Sequence, residues 1–217
     1  MRQLYKIVIV GDGGVGKTTT IKNIFRYLQQ KYPSTTFKTC SDDTTGVKET
    51  DRTKFIDFHT INFALDNQKV VWQIWDLQGQ RFPSGKAYTS LNPLDHITET
   101  VVKNADLILL TYDSSNNATY NELFTEKGFY NLIRPFVAPD QSYLLLASKT
   151  DLVKDSKKDS ITKISIDMDF DEISFNNTYL ENISSLAELI VTTLDMTTAS
   201  VQHGAIQDDP VSLKVYR

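Results

Sequence analysis

The sequence predicts an α/β fold, a doubly wound and mostly parallel sheet with one antiparallel hairpin at its edge. Three observations predict it. Short β-branched runs alternate with stretches of helical apolar spacing, two extended runs flank a tight polar turn, and a glycine-rich loop joins the first strand to the first helix.

Leu4–Val10 (LYKIVIV) is a short, mostly apolar and β-branched run that stops at glycines and reads as a buried strand. Ile21, Ile24, Phe25 and Leu28 then follow the stripe of a helix. Residues 32–52 are rich in Ser, Thr, Asp and Lys, include Pro33 and Gly46, and predict a long loop. Lys54–Leu65 and Lys69–Trp75, on either side of Asp66-Asn67-Gln68, predict the hairpin. Asp106–Asp113 and Ser142–Ser148 are two further buried strands, and Tyr120, Leu123, Phe124, Phe129 and Leu132 predict one helix between them. Leu180, Ile183, Leu186, Ala187, Ile190, Val191 and Leu194 mark the last helix. The domain is expected to span residues 1–195. Residues 196–217 read as a tail in which Val211, Leu213 and Val215 alternate as a docked strand would.

The loop after the first strand carries the chemistry. Gly11-Asp12-Gly13-Gly14-Val15-Gly16-Lys17-Thr18 satisfies G-x-x-x-x-G-K-[ST], with Thr19 continuing into the helix. Glycines let backbone N–H groups turn inward around phosphate oxygens, and the following helix presents its positive end to the same anion. Lys17 is expected on the β/γ-phosphates and the Thr18 hydroxyl on Mg²⁺. The alternative is a chance glycine-rich turn, which the strand–loop–helix context disfavours.

Two more segments narrow the ligand. Asp76-Leu77-Gln78-Gly79-Gln80 ends the second hairpin strand. There Asp76 would join the metal shell, Gly79 would offer its N–H to the γ-phosphate, and Gln80 would lie near an attacking water. Ser148-Lys149-Thr150-Asp151 follows the strand YLLLA. Asp151 can accept from guanine N1–H and the 2-amino group while the Lys149 stem packs over the base. Adenine has neither donor in that place and leaves the carboxylate unpaired. Taken singly, the first segment also reads as a strand-to-loop turn and the second as a solvated turn. Their order, each at a strand's C-terminal end, points to one nucleotide site.

With these motifs the chain resembles the Ras superfamily of small GTPases over about residues 4–195, which implies a P-loop NTPase G domain. GDGGVGKT is close to the phosphate loops of Rho and Rab proteins, and TYDSSNNATYNEL (Thr111–Leu123) is similar to the segment that opens the third helix in Rab-like proteins. Glu49–Phe58 (ETDRTKFIDF) resembles switch I of the bacterial polarity GTPase MglA and its archaeal relatives, although MglA lacks the aspartate that this chain retains as Asp76. The resemblance implies GTP/GDP and Mg²⁺ as ligands. It also implies hydrolysis of GTP, effector and GTPase-activating proteins at the switch regions, and roadblock-domain proteins among those partners.

Small GTPases use one switch I threonine to ligate Mg²⁺ and sense the γ-phosphate. Thr53 stands 23 residues before Asp76, which two strands of about ten residues and a turn fill; Thr44, in a T-T-G-V sequence, stands 32 before it. Spacing favours Thr53. The adjacent Arg52 reads either as an arginine finger supplied in cis or as a solvated surface charge. Three departures from the family stand out. Ser148 replaces the usual Asn or Thr and predicts a shorter or weaker tie to the phosphate loop. Residues 81–103 are longer than the usual switch II. The S-A-K motif is missing, and Asn177 within Asn176-Asn177-Thr178 is its nearest substitute. Residues 161–173 moreover alternate like a strand, through Ile164, Ile166, Met168 and Phe170.

Composition bounds the alternatives. The 217 residues are 40% apolar, enough for one domain that buries roughly 70% of its unfolded surface without staples. A net charge of −4 argues against a dedicated nucleic-acid binder or a polybasic membrane anchor. Cys40 is the only cysteine, which excludes an internal disulfide and any multi-cysteine metal site. No apolar run approaches 18 residues, position 2 is not Gly, and KVYR offers no prenylatable Cys. A cytoplasmic protein with no direct lipid anchor is expected.

Asp167, Asp169 and Asp171 imitate a calcium loop, but Glu172 and Thr178 stand where Gly and Glu belong. His59, His96 and His203 have no metal-like spacing, and Trp72 and Trp75 read as core. Two rival functions remain. GGVGKTT also fits a ParA/MinD-type ATPase, which carries a lysine where this chain has Asp12; a non-hydrolysing nucleotide-bound scaffold is the other.

Overall fold

The computed structural model describes residues 2–40, 56–77, 99–126, 128–138, 141–153, 172–174 and 180–199. Its sheet has seven strands. In chain order these are β1 (Arg2–Val10), β2 (Thr36–Cys40), β3 (Ile56–Leu65), β4 (Gln68–Leu77), β5 (Leu107–Asp113), β6 (Tyr143–Ser148) and β7 (Glu172–Ser174). The helices are α1 (Lys17–Lys31), α2 (Asn117–Phe124), α3 (Phe129–Ile133) and α4 (Leu180–Ala199), with a further helical turn at 99–102.

Strand order is β2-β3-β4-β1-β5-β6-β7. The pairs β4–β1, β1–β5, β5–β6 and β6–β7 are parallel, and only β3 runs against its neighbours. The doubly wound, mostly parallel sheet is as expected. β1 shows why both faces must be covered. Its Ile7 and Ile9 join a core with Ile21, Ile24 and Leu28 of α1 and Ile183, Leu186 and Ile190 of α4. Val8 and Val10 face the other way, into a core with Val102, Tyr120, Leu123 and Ile133. Every residue of β5 is buried. That is the burial a parallel strand under helices on both sides requires.

Several elements differ from the sequence reading. Residues 36–40, expected inside the long loop, form β2 and pair antiparallel with β3 from Thr36↔Asn62 to Cys40↔Phe58. The antiparallel edge therefore holds three strands rather than a lone hairpin. The apolar anchor is Phe37, which stacks on Phe25 at 4.8 Å and on the His59 ring at 5.5 Å. The hairpin turn has two residues, not three. Asp66 and Asn67 adopt φ +48° and +62°, the paired left-handed conformation that suits the twist of a two-residue hairpin.

The helix expected over Tyr120–Leu132 is two helices and a terminal turn at Arg134–Phe136. Gly128 sits at the break. A Cβ there would lie 2.5 Å from the carbonyl oxygens of both Glu122 and Leu123, so only glycine lets α3 start against the end of α2. The last helix runs to Ala199, so residues 196–199, expected in the tail, are helical. Glu172–Ser174, the end of the alternating stretch, is β7; the rest of that stretch and the proposed docked strand at 211–215 lie outside the described residues.

Lys6 fastens the 99–102 turn to the sheet. Its Nζ donates to the carbonyls of Thr100 (3.3 Å) and Lys103 (2.9 Å), an ammonium at a helix C-terminus, while its backbone N–H donates to Asp106 Oδ2 at 2.6 Å.

Candidate functional site

The C-terminal ends of β4, β1, β5 and β6 lie side by side, and each delivers one polar group or loop. These are Asp76, the loop from Gly11, Asp113 and Ser148. Such an edge is where ligands of doubly wound sheets bind.

Gly11, Gly14 and Gly16 adopt φ +150°, +76° and +103°, which L side chains rarely take. At Gly11 space forbids a side chain as well, because a Cβ would stand 2.0 Å from the Thr111 carbonyl oxygen. Gly16 caps α1 without a side-chain bond, and its carbonyl accepts from Thr20 N at 2.8 Å. Val15 is buried beneath the loop, while Gly14 and Thr19 are exposed on it. The Gly13 N–H donates to Asp12 Oδ1 at 2.6 Å, so one donor of the loop is tied to its own neighbour.

Lys17 is 7% exposed. Its Nζ donates to the carbonyls of Gly11 (2.9 Å) and Asp12 (2.8 Å), which folds the ammonium over the loop that it must serve. Burial pushes its pKa down, against the pull of Asp76 and Asp12. Thr18 Oγ1 donates to Asp76 Oδ2, joining the start of α1 to the end of β4. Burial raises the Asp76 carboxyl to about 6 despite Lys17 and Thr18, and its Oδ1 is buried with no hydrogen-bond partner among the described residues. A hydroxyl and a carboxylate in contact, with one carboxylate oxygen unsatisfied, are hard oxygen donors that suit Mg²⁺.

The Ser148–Asp151 segment is anchored to this loop. Ser148 is fully buried, and its hydroxyl lies 2.6 Å from the Val15 carbonyl and 2.8 Å from that of Tyr112. It has one proton to share between them. The tie, expected to be shorter or weaker, is short and direct. Lys149 follows in the left-handed conformation (φ +57°), and Asp151 lies exposed in the next turn, Thr150–Leu152.

The sequence reading missed Asp113 as part of this edge. Its Oδ2 accepts from Lys149 Nζ at 2.7 Å, and its Oδ1 accepts from the backbone N–H (2.9 Å) and hydroxyl (2.6 Å) of Ser115. Burial alone would push this carboxyl up, but those bonds hold it below its ordinary value. Lys149 is thereby fixed by a charged partner from the neighbouring strand. The available signal was an Asp ending a mostly apolar strand, LILLTYD. Arg52, Thr53, Gly79, Gln80 and Asn177 lie outside the described residues.

Comparison with known proteins follows the same line. GTP-binding protein YPTC5 of Chlamydomonas reinhardtii is 29% identical over 153 residues, covering 69% of this chain and 60% of that protein. GTP-binding protein yptV5 of Volvox carteri is 30% identical over 155 residues, 70% of this chain and 61% of that one. Ras-related protein Rab-8B of Homo sapiens is 27% identical over 150 residues, 69% and 57% of the two chains. The matched part of the chain spans about three fifths of the length of these relatives. The Ras family matches residues 6–195, from within the first strand to the last helix, with the loop of Lys17, the Asp76 strand end and the Ser148–Asp151 segment all inside it. The chain belongs to the Ras family.

Proposed function

We propose that this protein is a guanine-nucleotide switch that binds GTP and GDP with Mg²⁺ and hydrolyses GTP to GDP and phosphate. The bond from Ser148 to Val15 carries the reading. It ties the Ser148–Asp151 segment directly to the Gly11–Thr18 loop, which supports reading the two as the base and phosphate ends of one nucleotide site. Ras-family GTPases bind GTP and GDP with Mg²⁺.

In this reading Gly14, Val15, Gly16, Thr18 and Thr19 offer backbone N–H groups to the phosphates, the Gly13 N–H joins them on leaving Asp12 Oδ1, and Gly11 lets the loop turn away from β1. Lys17 leaves the carbonyls of Gly11 and Asp12 to meet the β/γ-phosphates. Thr18, Asp76 and Thr53 hold Mg²⁺, whose bound charge neutralises the phosphate oxygens. Gly79 donates to the γ-phosphate, and Gln80 orients water for in-line attack. Lys149 packs over guanine, Asp151 accepts its two donors, and Asn177 stands in for the missing S-A-K contact. Catalysis then consists of positioning and charge neutralisation without a covalent intermediate. The ATPase reading gains nothing from the fold or the relatives.

The segment Glu49–Phe58 is read as an MglA-like switch I, with β3 beginning three residues after Thr53. Roadblock-domain proteins are the partners this likeness suggests, within the broader class of effector and GTPase-activating proteins. The cytoplasm is the compartment in keeping with these partners; no described helix is long and apolar enough to cross a membrane.

In the same reading Arg52 is an arginine finger in cis, its guanidinium offsetting charge at the β–γ bridging oxygen. Single-turnover GTP hydrolysis is the experiment. Wild type should turn over GTP with Mg²⁺ and not ATP, whereas Arg52→Ala and Arg52→Lys should be slower by at least about tenfold at unchanged GTP affinity. Wild-type speed in both variants makes Arg52 a surface charge only. Equal hydrolysis of ATP removes the guanine reading itself.

A further inference from the structure

Two side chains beside the nucleotide edge, Asp57 and His59, are not used by the function above, and both stand close to Asp76, which is used. Asp57 and Asp76 are register partners across β3 and β4, and His59 lies two residues along β3 on the same sheet face as both. One carboxylate oxygen of each aspartate and one ring nitrogen of His59 lie within 4.8 Å of one another. His59 and Asp76 are buried and Asp57 is half-buried. Linear spacing hides the group, because Asp76 reaches it only through the hairpin.

Two independent observations point to a ligand. Asp76 engages Thr18 through Oδ2, while its Oδ1 is buried without a partner among the described residues. His59 is only 2% exposed; its Nδ1 lies 3.1 Å from Thr39 Oγ1 on β2, while its Nε2 is buried without a partner among the described residues. Phe37 stacks on the imidazole with an interplanar angle of 10° and fixes its plane. With Nδ1–H donating to Thr39, Nε2 keeps its lone pair, the arrangement that outer partners impose on metal-binding histidines. Two carboxylates and an imidazole are a donor set for Zn²⁺, Co²⁺ or Mn²⁺ rather than for Mg²⁺ alone.

We propose that Asp57, His59 and the Oδ1 side of Asp76 form a second divalent-cation site, for a transition ion of the Zn²⁺ class, next to the Mg²⁺ position at Thr18 and sharing Asp76 with it. The ion neutralises two facing carboxylates. It also pins the strand that follows switch I to the strand that precedes switch II, so its occupancy stiffens the hairpin joining the two switches.

The test uses the full chain loaded with GDP and Mg²⁺, titrated with Co²⁺ as a spectroscopic stand-in for Zn²⁺. Wild type should bind one Co²⁺ per chain beyond the Mg²⁺ that stays with the nucleotide, with visible ligand-field absorption. His59→Gln and Asp57→Asn should each weaken that binding by at least about tenfold while GDP and Mg²⁺ are retained. Asp57 is half-buried, so its variant decides the matter if His59→Gln does not fold. Co²⁺ that only replaces Mg²⁺ one for one, or unchanged binding in Asp57→Asn, overturns the proposal. Loss of GDP together with Co²⁺ in both variants assigns these side chains to the nucleotide's own metal and overturns it too.

Discussion

Replacing Lys17 by Ala should abolish tight binding of GDP and GTP alike. The ammonium is almost wholly enclosed and, among the described residues, bonds only backbone carbonyls of its own loop, so its charge is held where phosphates are expected. Bonds to a charged group contribute about 1.5–3 kcal/mol each, and two phosphate contacts together correspond to a loss of at least about a hundredfold in affinity. Isothermal titration with both nucleotides measures it. The variant also leaves the Gly11 and Asp12 carbonyls without their donor, so thermal unfolding must be followed in parallel. A folded Lys17→Ala chain with unchanged affinity would remove the phosphate-loop assignment.

Asp151→Asn should exchange guanine preference for xanthine. Asp151 is exposed at the head of a turn held by Lys149, and Lys149 in turn is fixed by Asp113. A carboxylate accepts from N1–H and the 2-amino group of guanine; an amide instead donates to the oxygen at C2 of xanthine. Two charge-assisted bonds lost correspond to at least about a hundredfold weaker GDP binding, with XDP binding rising in its place. Competition between GDP and XDP on wild type and variant reads both changes at once. If GDP binds both proteins equally, the base is held elsewhere.

Local motifs were legible in the chain and distant pairings were not. The loop from Gly11 to Thr18 carries its strand, turn and helix in sequence, and β1, β4, β5, β6 and α4 declare themselves by continuous or periodic apolar runs. β2 did not, because TFKTC holds one large apolar residue, and Phe37 acquires its meaning only against Phe25 and His59. The break at Gly128 was invisible because the apolar stripe continues through it, and the reason lies in carbonyls of the preceding helix. Asp113 looked like the end of a strand until the β5–β6 register placed it opposite Ser148, beside Lys149. Side-chain length left open whether the tie from Ser148 would be shorter or weaker; it is short, because the Val15 carbonyl comes within reach of the hydroxyl.

Amide hydrogen exchange in the GDP and GTP-analogue states, each with Mg²⁺, tests the switch most directly. The segments around Thr53 and Gln80 are largely polar in sequence, and the proposed switch has γ-phosphate contacts offset their conformational entropy. Protection around both residues should rise in the GTP-analogue state, while β5 and the Ile7–Val10 part of β1, all buried, stay equally protected in both. Identical protection around Thr53 and Gln80 in the two states would contradict a guanine-nucleotide switch.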